Sequence, residues 1–252
     1  GHKDAAQAIA PLIQFLTRKE LWYLDIKVAI SSLGKICIPL KDTRGITALL
    51  PMLANRNADV RQEATIVLGD LFEVIHQPEL SEQAALATIP LLQDSTYTVR
   101  LNAARTLGRI GAQGCGIQAV PGLINLLRTG NKFDEKAAAE ALGYFADDRV
   151  YLPLVKALRD SSEQGRGAVR DALKRIKIPL RDPQVLDAIT ADLLSSNAIV
   201  RQAAVKLLQQ ANWQPGNDAL GAAYWVAEGS YWRCKAIGAP AVEPLIRALH
   251  WE

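Results

Sequence analysis

The sequence predicts an all-α fold of stacked helix pairs, a right-handed α-solenoid, and three observations predict it. The first is a recurring phrase. Val60-Arg61-Gln62-Glu63-Ala64 followed by Leu68-Gly69 returns as Val99-Arg100, Ala103-Ala104 and Leu107-Gly108. It returns in weaker form at Asp134-Glu135 with Leu142-Gly143, at Gly165-Arg166 with Leu173-Lys174, and at Val200-Arg201 with Ala204 and Leu208-Gln209. The marker position runs Gly34, Gly69, Gly108, Gly143, Lys174, Gln209, in steps of 35, 39, 35, 31 and 35 residues. Self-similarity at such a period marks units that each bury their apolar face against a neighbour. The second is a start signal: Asn57, Thr96, Asn131, Ser162 and Asn197 each stand three residues before the Val of the phrase or its equivalent. All five are N-cap types, whose side-chain oxygens accept from unpaired N–H groups of a first helical turn. The third is that no alternating apolar–polar pattern of any length suggests a strand.

Each repeat reads as an A helix followed by a B helix. The A helices open with proline near their start, at Pro11, Pro121, Pro153 and Pro244, where the missing N–H is no loss. Pro51 and Pro90 lie further along their A helices, so a kink is expected there. The B helices start at the N-caps and carry small alanines before Leu-Gly, which permits close helix–helix approach. In the first repeat Trp22 occupies the cap slot, as an atypical terminal unit does. The reading is one continuous domain, 1–252. Its repeats fall at about 4–37, 43–76, 79–111, 117–146, 148–177 and 183–211, with an aromatic insert at 212–237 and a partial repeat at 238–252.

Bulk properties set limits. A chain with 49% hydrophobic and 22% charged residues is not globally disordered. A net charge of +3 is weak for a dedicated nucleic-acid binder, although local stripes weigh more than totals. No apolar run is long enough for a membrane span, and no signal peptide is visible. Cys37, Cys115 and Cys234 are odd in number and far apart, which argues against a disulfide frame and for a reducing, cytoplasmic setting. The chain begins Gly1-His2 rather than with Met, as after removal of a tag, and its last segment is an A helix without its B helix. A piece of a larger multidomain protein is therefore expected.

The phrase of Asp59-Val60-Arg61, paired alanines, and Leu107-Gly108-Arg109-Ile110 resembles the HEAT-like repeats named after phycobilisome lyases. The resemblance covers roughly residues 5 to 211 and the last fourteen or so. It implies the solenoid fold, with B helices lining a concave wall. It implies little about activity, because such repeats serve scaffolds, lyases, hydroxylases and DNA-repair proteins.

Two surfaces are candidate sites. Arg166, Arg170, Lys174 and Lys177 share one helix face at i, i+4 and i, i+3 spacing, with Arg175 and Arg181 flanking them. Arg105 and Arg109 form a smaller basic patch two repeats earlier. The functional reading is a face for an acidic protein surface, or for nucleic acid with steep salt dependence; the structural reading is a solvated face. The insert is the second candidate. Trp213, Tyr224, Trp225, Tyr231 and Trp232 place five of the chain's 15 aromatic residues within 20 positions. Either they form a packing wedge, or Trp225 and Trp232 anchor a partner in an aromatic groove for a peptide, a base or a chromophore. The insert is similar to those between HEAT repeats of cyanobacterial and archaeal multidomain proteins. Arg61, Arg100, Arg166 and Arg201, with Glu135 in the fourth repeat, occupy one register and are expected to form an inter-repeat ladder in which Glu135 bridges Arg100 and Arg166.

Catalysis lacks a constellation. His2, His76 and His250 are far apart, and the His-Glu pairs that hold iron in HEAT-type hydroxylases do not occur. No metal-binding or phosphate-loop motif is present. Gly111 to Gly116 is Gly-rich but sits between helices, and Cys115 within it is a candidate exposed thiol with no base placed nearby. The expected function is a non-catalytic scaffold, without cofactor or metal, that binds a protein or another domain of its own parent chain. Alternatives are a HEAT-type bilin lyase or chromophore-binding protein, and a nucleic-acid-binding solenoid; a HEAT-like DNA glycosylase would use the basic stripe with Asp171.

Overall fold

The computed structural model describes residues 6–18, 20–176 and 182–251. Among them every regular element is helical. The chain divides into two compact units, 1–146 and 147–252, at the boundary between the fourth and fifth repeats.

In the first unit the helices are α1 (Ile9–Leu16), α2 (Tyr23–Leu40), α3 (Arg44–Leu49), α4 (Ala58–Val74), α5 (Pro78–Thr88), α6 (Tyr97–Gly111), α7 (Val120–Thr129) and α8 (Lys132–Leu142). The odd members are A helices and the even ones B helices, and α2, α4, α6 and α8 pack in succession. Their buried faces are aliphatic, with Leu33, Leu68, Leu71, Leu107, Ile110 and Leu142 excluded from solvent. Apolar residues at i, i+3 and i+4 make this face, and its burial is the main driving force for stacking.

The Leu-Gly marker has a packing cause. A β-carbon on Gly108 would stand 2.9 Å from the Cα of Ala141 on the next B helix. Successive B helices approach at this point until only hydrogen fits. The prolines mark a change of helix type. At Pro51 and Pro90, where a kink is expected, the A helix passes into a 3-10 helix, Leu50–Ala54 and Ile89–Gln93, whose tighter turn begins beside the ring. Pro39 lies inside α2, one residue from its end.

The second unit contains α9 (Tyr151–Asp160), α10 (Glu163–Arg175), α11 (Pro183–Ala191), α12 (Ala198–Gln210), α13 (Ala219–Glu228), α14 (Cys234–Ile237) and α15 (Val242–Ala248). Here α9/α10 and α11/α12 are A/B pairs, and α13 to α15 build the insert and the last A helix. The marker glycine is replaced by Lys174 and Gln209, whose long side chains cannot be buried at a close helix contact. Lys174 is exposed, and Gln209 instead donates to the Tyr224 hydroxyl of the insert at 3.1 Å.

The N-cap register places Asn57, Thr96, Asn131, Ser162 and Asn197 at the N-caps of α4, α6, α8, α10 and α12. Asn131 forms a reciprocal capping box with Asp134. Thr96 sits at its cap without a side-chain bond to the helix. Trp22 holds the corresponding place on α2, also without one.

Candidate functional site

The arginines of the recurring phrase are built into the repeats. Each reaches back to the loop joining its own A and B helices, donating to carbonyls five or six residues earlier. Arg61 binds Asn55 and Arg56, Arg100 binds Asp94 and Ser95, Arg166 binds Ser161, and Arg201 binds Ser195 and Ser196. The guanidinium fork then reaches onward to the loop of the next repeat. Arg61 makes a two-pronged pair with Asp94 (2.7 and 2.9 Å), and Arg100 pairs with Asp134 at 2.8 Å. The acceptor of Arg100 is thus Asp134 and not Glu135. Asp134 is fully buried at the third position of α8, where the capping box holds its carboxylate toward the preceding repeat.

Within the second unit the same register changes character. The Ser195 that stands where Asp94 stands three repeats earlier brings no carboxylate, and the buried Nε of Arg166 has no partner. Arg201 stacks on the Trp251 ring at 3.7 Å, so the next repeat's loop answers it with an aromatic face. Burial lowers the Arg201 pKa below the usual arginine value.

The basic residues expected to face a partner separate into groups. Arg109 of α6 pairs with both Asp70 (3.0 Å) and Glu73 (2.6 Å), so its charge is answered within the protein. Arg105 is exposed, beside a small cleft of about 260 Å³ lined by Ile66, Asp70, Asn102, Thr106 and Arg109. On α10, Arg166 is spent on its loop, whereas Arg170, Lys174 and Arg175 are exposed. Lys174 bonds Asp171 at 2.9 Å, and that hydrogen bond, helped by the charges of Lys174, Arg170 and Arg175, holds the Asp171 carboxyl below its usual pKa. Lys177 and Arg181 lie outside the described residues.

The insert gives the most defined geometry. A turn of 3-10 helix, Tyr231–Arg233, follows α13 and folds the chain back on it. This brings Trp225 and Trp232 to one groove of about 590 Å³, together with Pro215, Asn217, Arg233, Lys235, Ala236 and Ile237. The Arg233 guanidinium lies 4.0 Å from the Trp225 ring centre and 4.9 Å from that of Trp232. The two tryptophans differ in role. Trp225 packs on a small core of Ala222, Val226, Cys234 and Ala241 and meets Tyr224 edge-on at 4.9 Å. Trp232 is 73% exposed. Arg233 and Lys235 were no part of the expected site; the only hint in the sequence is their place beside Trp232.

A separate apolar hollow, lined by Tyr231, Val242, Leu245, Ile246, Ala248 and Leu249, lies along α15. In the first unit Tyr97 and Phe133 form a half-exposed pair at 6.2 Å, capped by Lys132 over the Phe133 ring.

The three cysteines are buried thiols. Cys115 is therefore not the exposed thiol suggested by its Gly-rich loop, because Gly114 and Gly116 both take positive φ and turn the chain inward. Burial pushes Cys37 up to about 11, with Asp42 adding to it, and burial raises Cys234 as well. A raised pKa keeps Cys37 and Cys234 in the thiol form, the poorer nucleophile. Among the described residues no group of three or more His, Cys, Asp or Glu is placed to hold a metal ion, and no helix is long and apolar enough to cross a membrane.

The family whose model matches is that of HEAT repeats, at residues 46–142, 85–174 and 120–209. No curated protein matches the chain. Among solved structures, a designed armadillo repeat protein, YIII(Dq)4CqI, is similar with a TM-score of 0.59 at 20% identity, over 80% of this chain and 99% of that one. A second, YIII(Dq.V1)4CPAF in complex with peptide (KR)4, gives 0.60 at 18% identity, over 80% and 98%. A HEAT-like repeats protein from the archaeon Thermococcus onnurineus NA1 gives 0.55 at 14% identity, over 92% and 96%. At these identities the likeness shows the fold.

Proposed function

The chain belongs to the HEAT-repeat family, and from that premise we propose that it is a non-catalytic protein-binding module whose capture site is the groove of the insert. The observation that carries this reading is Trp232: a tryptophan 73% exposed, stacked against an arginine, on the rim of a groove. Tryptophan and arginine supply most of the energy at protein interfaces when they enclose one another away from water. An indole left in solvent at such a place forgoes the stabilisation that burying its area would bring. The partner is a protein, or another domain of a longer parent chain, with an acidic surface. The cations Arg170, Lys174 and Arg175 of α10 add a long-range attraction that speeds encounter. A designed solenoid of like fold was solved in complex with a peptide, (KR)4; here cations line the groove, so an acidic peptide is the matching ligand.

Affinity capture at low salt tests the reading, with wild type, Trp232→Ala and the double variant Arg170→Glu/Lys174→Glu compared side by side. The expected result is one stoichiometric protein on the wild type, lost on Trp232→Ala and reduced several-fold on the double variant, with helicity unchanged. Equal capture by Trp232→Ala, or recovery of nuclease-sensitive nucleic acid alone, contradicts it.

A further inference from the structure

Arg233 carries five N–H donors on a planar cation. Its central carbon lies over the rings of Trp225 and Trp232, at 4.0 and 4.9 Å from their centres. Among the described residues its guanidinium N–H groups make no hydrogen bond and no ion pair, and neither does the ammonium of Lys235 in the same groove. Other arginines of this unit are answered. Arg149 pairs with Asp147, Arg159 with Asp192, and Arg247 with Glu243. A guanidinium resting on two indole rings has lost part of the freedom that binding would otherwise cost, and its N–H fork matches a carboxylate in two-pronged geometry.

We infer that the groove is a receptor for an acidic peptide, with a Glu or Asp carboxylate seated on the edge of Arg233, Lys235 as second cation, and Trp232 covering the neighbouring residue. The inference rests on the protein-binding reading above and names its ligand class. The apolar part of the lining favours a peptide, since Pro215, Ala236 and Ile237 share the groove with the two cations and suit the side chains beside a carboxylate. A nucleic-acid strand needs a longer row of cations to follow its phosphates, and the groove lines up two. A flat chromophore stacking on these rings would have to displace Arg233 from them.

The test is titration of the full chain with a ten-residue peptide of alternating glutamate and proline, blocked at both ends, followed by calorimetry and by tryptophan emission. The glutamine–proline peptide, inorganic phosphate and a ten-residue oligo-dT are the comparison probes. Trp232→Phe identifies the emission change that belongs to Trp232. The expected result is binding of the glutamate peptide at least tenfold tighter than of the glutamine peptide, weakened at least tenfold by Arg233→Gln. Arg233→Lys, which keeps charge without the planar fork, is expected to fall between. Arg233 is exposed, so unchanged helicity in Arg233→Gln checks the fold. Equal affinity for the two peptides, no loss in Arg233→Gln, or tighter binding of phosphate or oligo-dT overturns the inference. Should the peptide fail while Trp232→Ala still abolishes protein capture, the acidic ligand is wrong and the protein-binding reading stands; failure of both removes both.

Discussion

At the scale of single residues, Asp94 and Asp192 show opposite balances of the same forces. Asp94 loses hydration on burial, which raises its pKa. The hydrogen bonds from Arg61 and the Thr96 N–H, with the Arg61 charge, outweigh this and hold it below the ordinary carboxylate value. A depressed folded pKa means stability present above the unfolded value of about 4 and lost as pH falls through the folded one. Asp192 is raised instead, because burial outweighs its bond to Arg159, a side chain 54% exposed. A raised folded pKa has the reverse sign, so stability is lost as pH rises from the unfolded value through the folded one. Asp94→Asn is therefore expected to cost about 2 kcal/mol at pH 7, since the half-buried Arg61 loses its charged partner and keeps only its two loop carbonyls, while Asp192→Asn costs less because Arg159 is already half in water. Urea titrations of each variant at pH 7 and pH 3 check this, with the Asp94→Asn deficit narrowing in acid. Equal deficits for the two variants at pH 7 contradict it.

At the scale of elements, the caps and the periodic phrase were legible in the sequence because each is local. A cap is settled within one turn of its helix, and the marker glycine repeats because each B helix meets the next in the same way. The pairs that join repeats were not legible. Arg61 to Asp94 spans 33 residues and Arg100 to Asp134 spans 34, and which acid faces which arginine depends on the rotation between neighbouring pairs. Asp134 and Glu135 are adjacent in sequence but point differently from the same helix. The glycines allow a sharper test. Gly108→Ala is expected to destabilise by about 1–2 kcal/mol, because backbone at Ala141 has to shift. Gly167→Ala is expected to stabilise by up to ~1 kcal/mol, since its β-carbon meets nothing within 4 Å and helix propensity improves. Thermal melts of the two variants give opposite shifts if the marker glycine marks close packing; shifts of the same sign contradict that account.

At the scale of the molecule, a repeat architecture makes most of the surface a copy of itself, so the place where the period breaks is where individuality resides. The insert breaks it. Its tryptophans were visible as a cluster in the sequence, but their division of labour was not. Trp225 packs on a core, Trp232 stands in solvent, and Arg233 joins them only because a 3-10 turn reverses the chain between positions 231 and 233. The basic stripe was legible as a pattern and reads differently in space, since Arg166 serves its own loop and Arg109 is answered by two acids. The most direct test of the central claim places a photo-crosslinking phenylalanine at position 232 in the full chain and irradiates it in lysate of the source cells. The expected result is one dominant cross-linked protein whose attachment site lies within an acidic segment, with no such adduct from the same group at exposed Leu86. Adducts spread over many proteins at both positions, or confined to nucleic acid, would contradict the account.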